Sequence, residues 1–462
     1  MIFRSPRLAA IFGAPAESVT YAQLEALVGE IEAAEAEDLD YKREYKAGVD
    51  GSDDAADDIA VDIATFANHR GGVIVVGMAE AQGVPSKAMP IDLTDQLLRR
   101  IRTASARVIP TPQFDLIRVA NPDADAKVPT GFLLIVVPPS GSAPHAVINP
   151  KEDGKLRYPR RNGSGKIWMS ESEVASMYRR RFTAAVDQEA RLKDIEGDAV
   201  YGIEKMQSSA APSPLLVVSL VPDVPGEFTI DIDVYDRFRQ EIYQQTMFVG
   251  STSVGDAPQA AVGHRRLIAY SNGGWRDIRA ELHTDGSGAL AFALPWEPVD
   301  GNEVAQVLDS HVVSYTASAL RYLARHARDR TGAAGVAAVS VALLGDADAN
   351  ELVTSRNSPG VALLTPHPLG GTYRVYGADA QKYGRGEAEF LLDDLADDGQ
   401  PLARATARLV GDLFQAYGAI ETLQITRDGA LRPRPWGTDW STGQRWAQQT
   451  GIPIDNGTQG GN

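Results

Sequence analysis

Residues 59–76 carry the tightest constraint in the chain. An apolar helical stripe, Ile59, Ile63 and Phe66, runs into Asn68-His69-Arg70-Gly71-Gly72 and then into the unbroken apolar run Val73-Ile74-Val75-Val76. Glycine just past a helix end permits the left-handed turn that stops the helix. Four β-branched residues without polar alternation read as a strand covered on both faces, so it belongs inside a sheet flanked by helices. Asp53, Asp54, Asp57 and Asp58 load the start of the preceding helix with negative charge, which suits its dipole. Gly77 and the polar turn after Glu80 close the strand.

Upstream, Thr20 and Gln23 form a capping box, and Leu24, Leu27, Val28 and Ile31 recur at helical spacing, predicting a helix over 21–36. Residues 38–46 alternate instead. Leu39, Tyr41 and Tyr45 share a face with Arg43, and Asp38, Asp40, Lys42 and Glu44 share the other, as in a half-buried strand. Residues 47–53 read as a loop. If the two strands pair, Glu35, Asp40 and Glu80 converge with Lys42. Three carboxylates offer hard oxygen ligands to Mg²⁺ or Mn²⁺. Such an ion polarises a phosphodiester and activates water, while the ammonium stabilises transition-state charge. The same acid-x-Lys spacing is common in surface ion pairs worth under about 1 kcal/mol. Spacing alone favours the surface pair.

Further along, a helix is expected over 93–107, strands over 114–120 and 131–137, and a short strand over 155–160. Ser170 and Glu173 form a second capping box, opening a helix to about Arg181. Residues 151–181 hold nine basic and four acidic side chains, against a net charge of −16 for the whole chain. Arg157, Arg160, Arg161 and Lys166, with Tyr158 and Trp168, supply charge for phosphates and rings for bases. A basic hairpin with its aromatics packed inward is the alternative.

Several chemistries are excluded. There are no cysteines, hence no disulfide, zinc ribbon or thiol catalysis. Gly163-Ser164-Gly165-Lys166-Ile167 is not a phosphate loop, because Arg160 stands where the first glycine belongs and no Ser or Thr follows the lysine, so no ATP site is supported. The seven histidines lack metal-ligand spacing, and no Gly-x-Ser-x-Gly elbow occurs. No stretch of eighteen apolar residues exists, so no membrane partner is expected, and the absence of cysteine and of an apolar leader fits a cytoplasmic location.

The order of these features resembles the Schlafen AlbA-like domain family over about residues 20–182. Family members carry an acidic residue followed five positions later by a Glu-Phe-Lys strand; here the segment reads Glu35-Ala36-Glu37-Asp38-Leu39-Asp40-Tyr41-Lys42. The family's Ala-Phe-Ala-Asn-x-x-Gly-Gly block corresponds to Ala64-Thr65-Phe66-Ala67-Asn68-His69-Arg70-Gly71-Gly72. Its Pro-His pair and Tyr-x-Arg-x-Gly-Ser segment correspond to Pro144-His145 and Tyr158-Pro159-Arg160-Arg161-Asn162-Gly163-Ser164. The resemblance implies nucleic-acid handling, with Glu35, Asp40 and Glu80 as catalytic and metal-binding acids in nuclease members and Lys42 beside them. It also favours a basic groove at Arg157, Tyr158, Arg160, Arg161 and Lys166, and leaves Asn68, Gly71 and Gly72 as structural motif residues. Asp40 replaces the family's usual Glu, and Glu80 stands near where an Asp is common.

The expected architecture is α+β: a Schlafen AlbA-like mixed sheet with flanking helices over 1–185, a linker over 186–213, a C-terminal α/β domain of unknown type over 214–437, and a loose tail over 438–462. In the second half, strands are expected at 215–220, 336–344 and 420–426, a hairpin over 281–294 about Asp285-Gly286, and helices over 302–328 and 401–417. Residues 1–185 carry 22 basic and 25 acidic side chains and the remainder 23 and 36, so the second half is the acidic one. The expected function is RNA or DNA binding. Within it falls metal-dependent cleavage of structured RNA such as tRNA, with a non-catalytic DNA-binding regulator or a defence-associated interaction protein as the alternative. A homodimer is expected to supply a second lobe, and the acidic half to recognise a protein or ligand partner.

Overall fold

The computed structural model describes residues 5–45, 54–124, 129–148, 154–206, 213–272, 277–299, 304–345, 360–366, 373–375 and 383–456. The expected loop 47–53 with Asp53, residues 207–212 of the expected linker and residues 457–462 of the expected tail lie outside them. The chain divides into two compact units, Met1–Val186 and Asp187–Asn462. Among the described residues no helix is long and apolar enough to cross a membrane.

The first unit runs α1 (Pro6–Phe12), α2 (Tyr21–Glu25), β1 (Leu39–Lys42), α3 (Asp54–Ala67), β2 (Gly72–Val76), β3 (Met78–Ala81), β4 (Val84–Ala88), β5 (Ile91–Asp92), α4 (Asp95–Ser105), β6 (Val108–Ile109), β7 (Asp115–Ala120), β8 (Thr130–Val137), β9 (Ala146–Ile148), β10 (Leu156–Arg157), β11 (Pro159–Asn162), β12 (Gly165–Trp168) and the start of α5 (Glu171–Glu204). Its main sheet is mixed: β1 pairs parallel with β2, β2 antiparallel with β8, and β5 and β7 antiparallel with β8. Strand alternation splits the core in two. Leu39, Tyr41, Val73, Val75, Phe132 and Leu134 pack with Leu8, Phe12 and Leu24 on one face. Ile74, Val76, Leu133 and Ile135 pack with Ile59, Ile63, Phe66 and Ile101 on the other. The central position of β2 accounts for its unbroken apolar run.

Two expectations need correction here. The helix expected over 21–36 stops at Glu25; Gly29 adopts φ 88°, and of the apparent stripe Leu24 and Leu27 are buried while Val28 and Ile31 stay exposed. The strand at 38–46 is not half-buried. Asp40 and Lys42 do share a face, but that face lies under the α3 layer, and Asp40 is 4% exposed.

The second unit contains the remainder of α5, then β13 (Leu215–Val224), α6 (Ile232–Gln244), β14 (Gln259–Gly263), β15 (Arg266–Ser271), β16 (Ile278–His283), β17 (Gly288–Ala293), β18 (Glu297–Val299), β19 (Val304–Leu308), α7 (Asp309–Arg325), β20 (Ala334–Leu344), β21 (Gly360–Pro366), β22 (Tyr373–Val375), β23 (Tyr383–Leu391), α8 (Leu392–Ala396), α9 (Gln400–Gln415) and α10 (Trp440–Thr450). Seven antiparallel strands follow the order β14-β15-β16-β17-β13-β20-β23, and β18, β19, β21 and β22 form a smaller sheet. Leu192, Ile195, Ala199, Val200 and Ile203 of α5 pack on one face of the large sheet against Val217, Ala289 and Ala291. The other face carries the larger core, with Leu320 and Leu323 of α7 and Leu409 and Leu413 of α9.

The stretch from 186 is therefore no linker as far as Glu204: an apolar stripe hidden among polar residues keeps it helical. Residues 438–456 are not loose either. α10 buries Trp446, whose indole N–H donates to the Asp398 carbonyl at 2.9 Å. The helix expected over 302–328 begins only at Asp309, because Val304–Leu308 pairs parallel with β21. At 420–426 only an isolated bridge, Ile425 with Leu431, replaces the expected strand.

Candidate nucleic-acid interface

The site starts from β1. Alternation points Asp40 and Lys42 toward α3, where they meet Asp62, a residue that the sequence analysis did not single out. Lys42 Nζ lies 2.6 Å from Asp40 Oδ2 and 3.9 Å from Asp62 Oδ2. Arg161, on β11, reaches under the same strand: Nη1 is 3.4 Å from Asp40 Oδ1, and Nη2 donates to the Ala36 and Leu39 carbonyls at 2.9 Å each. Its guanidinium lies 4.8 Å from the centre of the Phe66 ring. Lys166, cross-strand from Arg161 on β12, places Nζ 3.6 Å from Asp62 Oδ1. The Tyr45 hydroxyl donates to Asp62 Oδ2 at 3.1 Å. The result is a chain of alternating charge, Lys166, Asp62, Lys42, Asp40, Arg161.

Environment sets the protonation. Burial raises the Asp62 pKa against the pull of Lys42 and Lys166. For Lys42, burial disfavours the charge, but Asp62, Asp40 and Glu35 outweigh it and raise the pKa. Glu35 stands at the edge of this group, half-buried, with Oε1 accepting the Tyr41 N–H at 3.0 Å. Burial, reinforced by the Asp40 charge, raises its pKa to about 7. A carboxyl poised there exchanges a proton near neutrality.

Glu80 does not join this cluster. It is exposed at the β3–β4 turn, and its Oε2 accepts the Gly83 N–H at 2.6 Å, so it braces its own hairpin. Among the described residues no group of three or more His, Cys, Asp or Glu side chains is arranged to hold a metal. Of the Glu35–Asp40–Glu80 set expected for Mg²⁺ or Mn²⁺, the structure brings Glu35 and Asp40 together and keeps Glu80 on its own hairpin. Both Asp40 oxygens face cations, Oδ2 toward Lys42 and Oδ1 toward Arg161, and both Asp62 oxygens have donors. Asp40 and Asp62 are paired with cations from within the protein, and Glu35 meets Asp40 at the edge of the group.

The basic hairpin is also largely committed. Arg161 is 5% exposed and its guanidinium is taken up by Asp40 and the Ala36 and Leu39 carbonyls. Arg160 binds Glu173 at 2.8 Å. Glu173 closes the Ser170 capping box, and the Ser170 N–H and Arg160 hold its pKa down at about 2. Arg157 pairs with Asp57 at 2.6 Å and lies 5.1 Å from the centre of the Trp168 ring. The Tyr158 and Tyr178 hydroxyls are 3.3 Å apart, and burial together with that contact raises the Tyr158 pKa to about 12. What stays open to solvent is Trp168, 50% exposed, with the partly exposed Arg157 over its ring and Lys166 on the same face of the hairpin.

Asn68 holds these pieces together. Its side-chain amide donates to the His145 carbonyl at 2.9 Å and the Pro159 carbonyl at 2.8 Å, and its oxygen accepts the His145 N–H at 2.6 Å. One buried side chain thereby ties the end of α3 to β9 and β11. Gly71, at φ 72°, leaves no room for a Cβ, which would lie 2.6 Å from Pro139 Cδ. A Cβ on Gly72 would lie 2.5 Å from the Phe66 ring. Both glycines bring the helix end against the sheet. No sequence signal short of the three-dimensional pairing marks Asp62, because it reads as one more acid in an acid-rich helix.

Residues 35–170 match the Schlafen, AlbA_2 family. The first unit therefore contains a Schlafen AlbA-like domain, built as the mixed sheet described above. Among solved structures, the chain is similar to the DIP2311 protein from Corynebacterium diphtheriae, with 19% identity, a TM-score of 0.23, and coverage of 38% of this chain and 32% of that one. The chain spans about a third of that protein's length. No curated protein matches it.

Proposed function

We propose that the first unit binds nucleic acid, with the β11–β12 hairpin as the contact surface. The observation that carries the reading is the half-exposed Trp168 ring with the Arg157 guanidinium 5.1 Å from its centre, inside the residues matched to the family. A ring backed by a cation stacks bases of any sequence, while Lys166, on the same face of the hairpin, meets phosphates. Single-stranded or looped RNA, whose bases are free to stack, suits this surface better than duplex DNA. Fluorescence anisotropy with a labelled single-stranded RNA and a labelled DNA duplex tests it. Salt-sensitive binding that prefers the RNA is expected, and absence of binding at low salt would sink the proposal.

A second reading, cleavage of structured RNA such as tRNA, is favoured by the Glu35 pKa of about 7 beside Asp40 and Lys42. The chemistry open to these side chains is proton exchange at Glu35 and stabilisation of phosphate charge by Lys42. Incubating tRNA with the full chain and with Glu35→Gln, with Mn²⁺ and with chelator, decides it. Product lost in the variant supports cleavage, and no product or equal product from both proteins refutes it.

A further inference from the structure

The second unit contains a cleft of ≈ 510 Å³ formed where two hairpin turns meet α5. The first turn is His264-Arg265, between β14 and β15; the second is Thr284–Ser287, between β16 and β17. They are joined by the Thr284 N–H donating to the Arg265 carbonyl at 3.0 Å. Arg191 and Asp198 of α5 line the third side. All of these residues belong to one compact unit.

Four observations mark the cleft as more than a gap between turns. Arg265 has φ 54°, the left-handed region in which a non-glycine residue costs about 1–2 kcal/mol. An arginine held where glycine would be unstrained calls for a role for its side chain. That side chain makes one hydrogen bond, to Thr284 Oγ1 at 3.3 Å, and no ion pair among the described residues. His283 is 5% exposed, lines the cleft, and has an Nε2 without a hydrogen-bond partner. Burial, with Arg191 nearby, lowers its pKa to about 4, so the ring is neutral at physiological pH and offers Nε2 as a donor or an acceptor by choice of tautomer.

The acids in the wall are already engaged. Asp285 Oδ1 accepts the Ser287 N–H at 2.9 Å and hydroxyl at 2.6 Å, and Oδ2 faces Arg191 at 3.3 Å. Asp198 and the buried Glu281 both face Arg266. Those pairs leave Arg265, exposed at the rim of the cleft, without an ion-pair partner among the described residues, next to the His264 and His283 rings that line the same cleft.

From this geometry we infer that the cleft is a binding site for a phosphomonoester, with Arg265 as its principal charge partner and His283 Nε2 as a buried contact. A carboxylate has two oxygens to offer this many donors, whereas a phosphate presents three in a tetrahedral array that planar guanidinium groups match in pairs. The volume falls in the range that holds a small molecule such as a nucleotide. The same group occurs on a free nucleotide and at the 5′ end of an RNA, and the test separates them.

Isothermal titration of the full chain is run with AMP, adenosine, inorganic phosphate, and a short RNA with either a 5′-phosphate or a 5′-hydroxyl. AMP and phosphate are expected to bind saturably and adenosine not to. Arg265→Gly, which suits the left-handed backbone and keeps the melting temperature, is expected to weaken AMP at least tenfold, as is Arg191→Gln. Tighter binding of the 5′-phosphorylated RNA than of both AMP and the 5′-hydroxyl RNA assigns the pocket to an RNA end; tighter binding of AMP assigns it to a free nucleotide. The inference is overturned if adenosine binds as well as AMP, if Arg265→Gly binds AMP unchanged, or if no phosphate-bearing probe binds.

Discussion

Lys42 Nζ lies 2.6 Å from Asp40 Oδ2, two residues back along the same strand, and the pair faces α3, with Asp40 buried and the Lys42 side chain 33% exposed. An exposed strand pair of this kind contributes little. Under a helix, with Arg161 on the other oxygen of Asp40, the same two residues become part of the core of the domain.

Arg161 therefore acts first on stability. Arg161→Ala leaves Asp40 short of a cation and strands the Ala36 and Leu39 carbonyls, and is expected to cost about 3–5 kcal/mol. Lys166, whose side chain is 44% exposed, is expected to change stability by under about 1 kcal/mol on replacement by Ala. Urea unfolding of the two variants checks the contrast.

Trp168→Ala removes the proposed stacking surface and touches no buried group. RNA affinity is expected to fall by about 1–3 kcal/mol with the melting temperature nearly unchanged. Anisotropy titration beside a thermal melt separates the two effects, and unchanged affinity would argue against the hairpin as the interface.

Glu35 gives a pH signature. Its folded pKa, about 7, exceeds its ordinary value of 4.5 because burial disfavours the carboxylate. Between those values the folded protein binds more protons than the unfolded chain, so this group's stabilisation is fully present below about pH 4.5 and is lost as pH rises through 7. Glu35→Gln is expected to flatten the fall in stability across that window and to make the domain more stable than the parent above it. Denaturant unfolding at a series of pH values reads the slope, and parallel curves would refute the assignment.

Asn68→Ala removes three buried hydrogen bonds at once and leaves the His145 N–H and the Pro159 carbonyl unpaired. A loss of about 3 kcal/mol or more is expected. Hydrogen exchange should show faster exchange in β9 and β11 than in β2, which Asn68 does not hold; uniform protection would contradict that division.

How much of this was legible in the sequence differs by element. The α3–β2 junction was readable because helix stripe, paired glycines and apolar run are local patterns, and they placed β2 at the sheet centre. Both capping boxes were readable for the same reason, as four-residue signals that form as expected at Thr20 and Ser170. The α5 stripe was missed because five apolar residues in a polar segment acquire meaning only against the sheet they cover. Trp446 was missed because Gln- and Gly-rich neighbours conceal a buried anchor.

At the candidate site, sequence alone determined that Asp40 and Lys42 share one face of a strand, since alternation is a property of the extended backbone. It also determined that Asn68, Gly71 and Gly72 serve the fold. Only the tertiary structure decided what that face meets. Asp62 and Arg161 lie 22 and 121 residues beyond Asp40, and no local pattern encodes their approach. Their arrival surrounds Asp40 and Lys42 with partners from distant segments and builds the ionic cluster, while Glu80 stays on its own hairpin. Whether a charge binds an ion, a phosphate or another side chain depends on which partner reaches it first in space, and that is fixed by packing between distant segments.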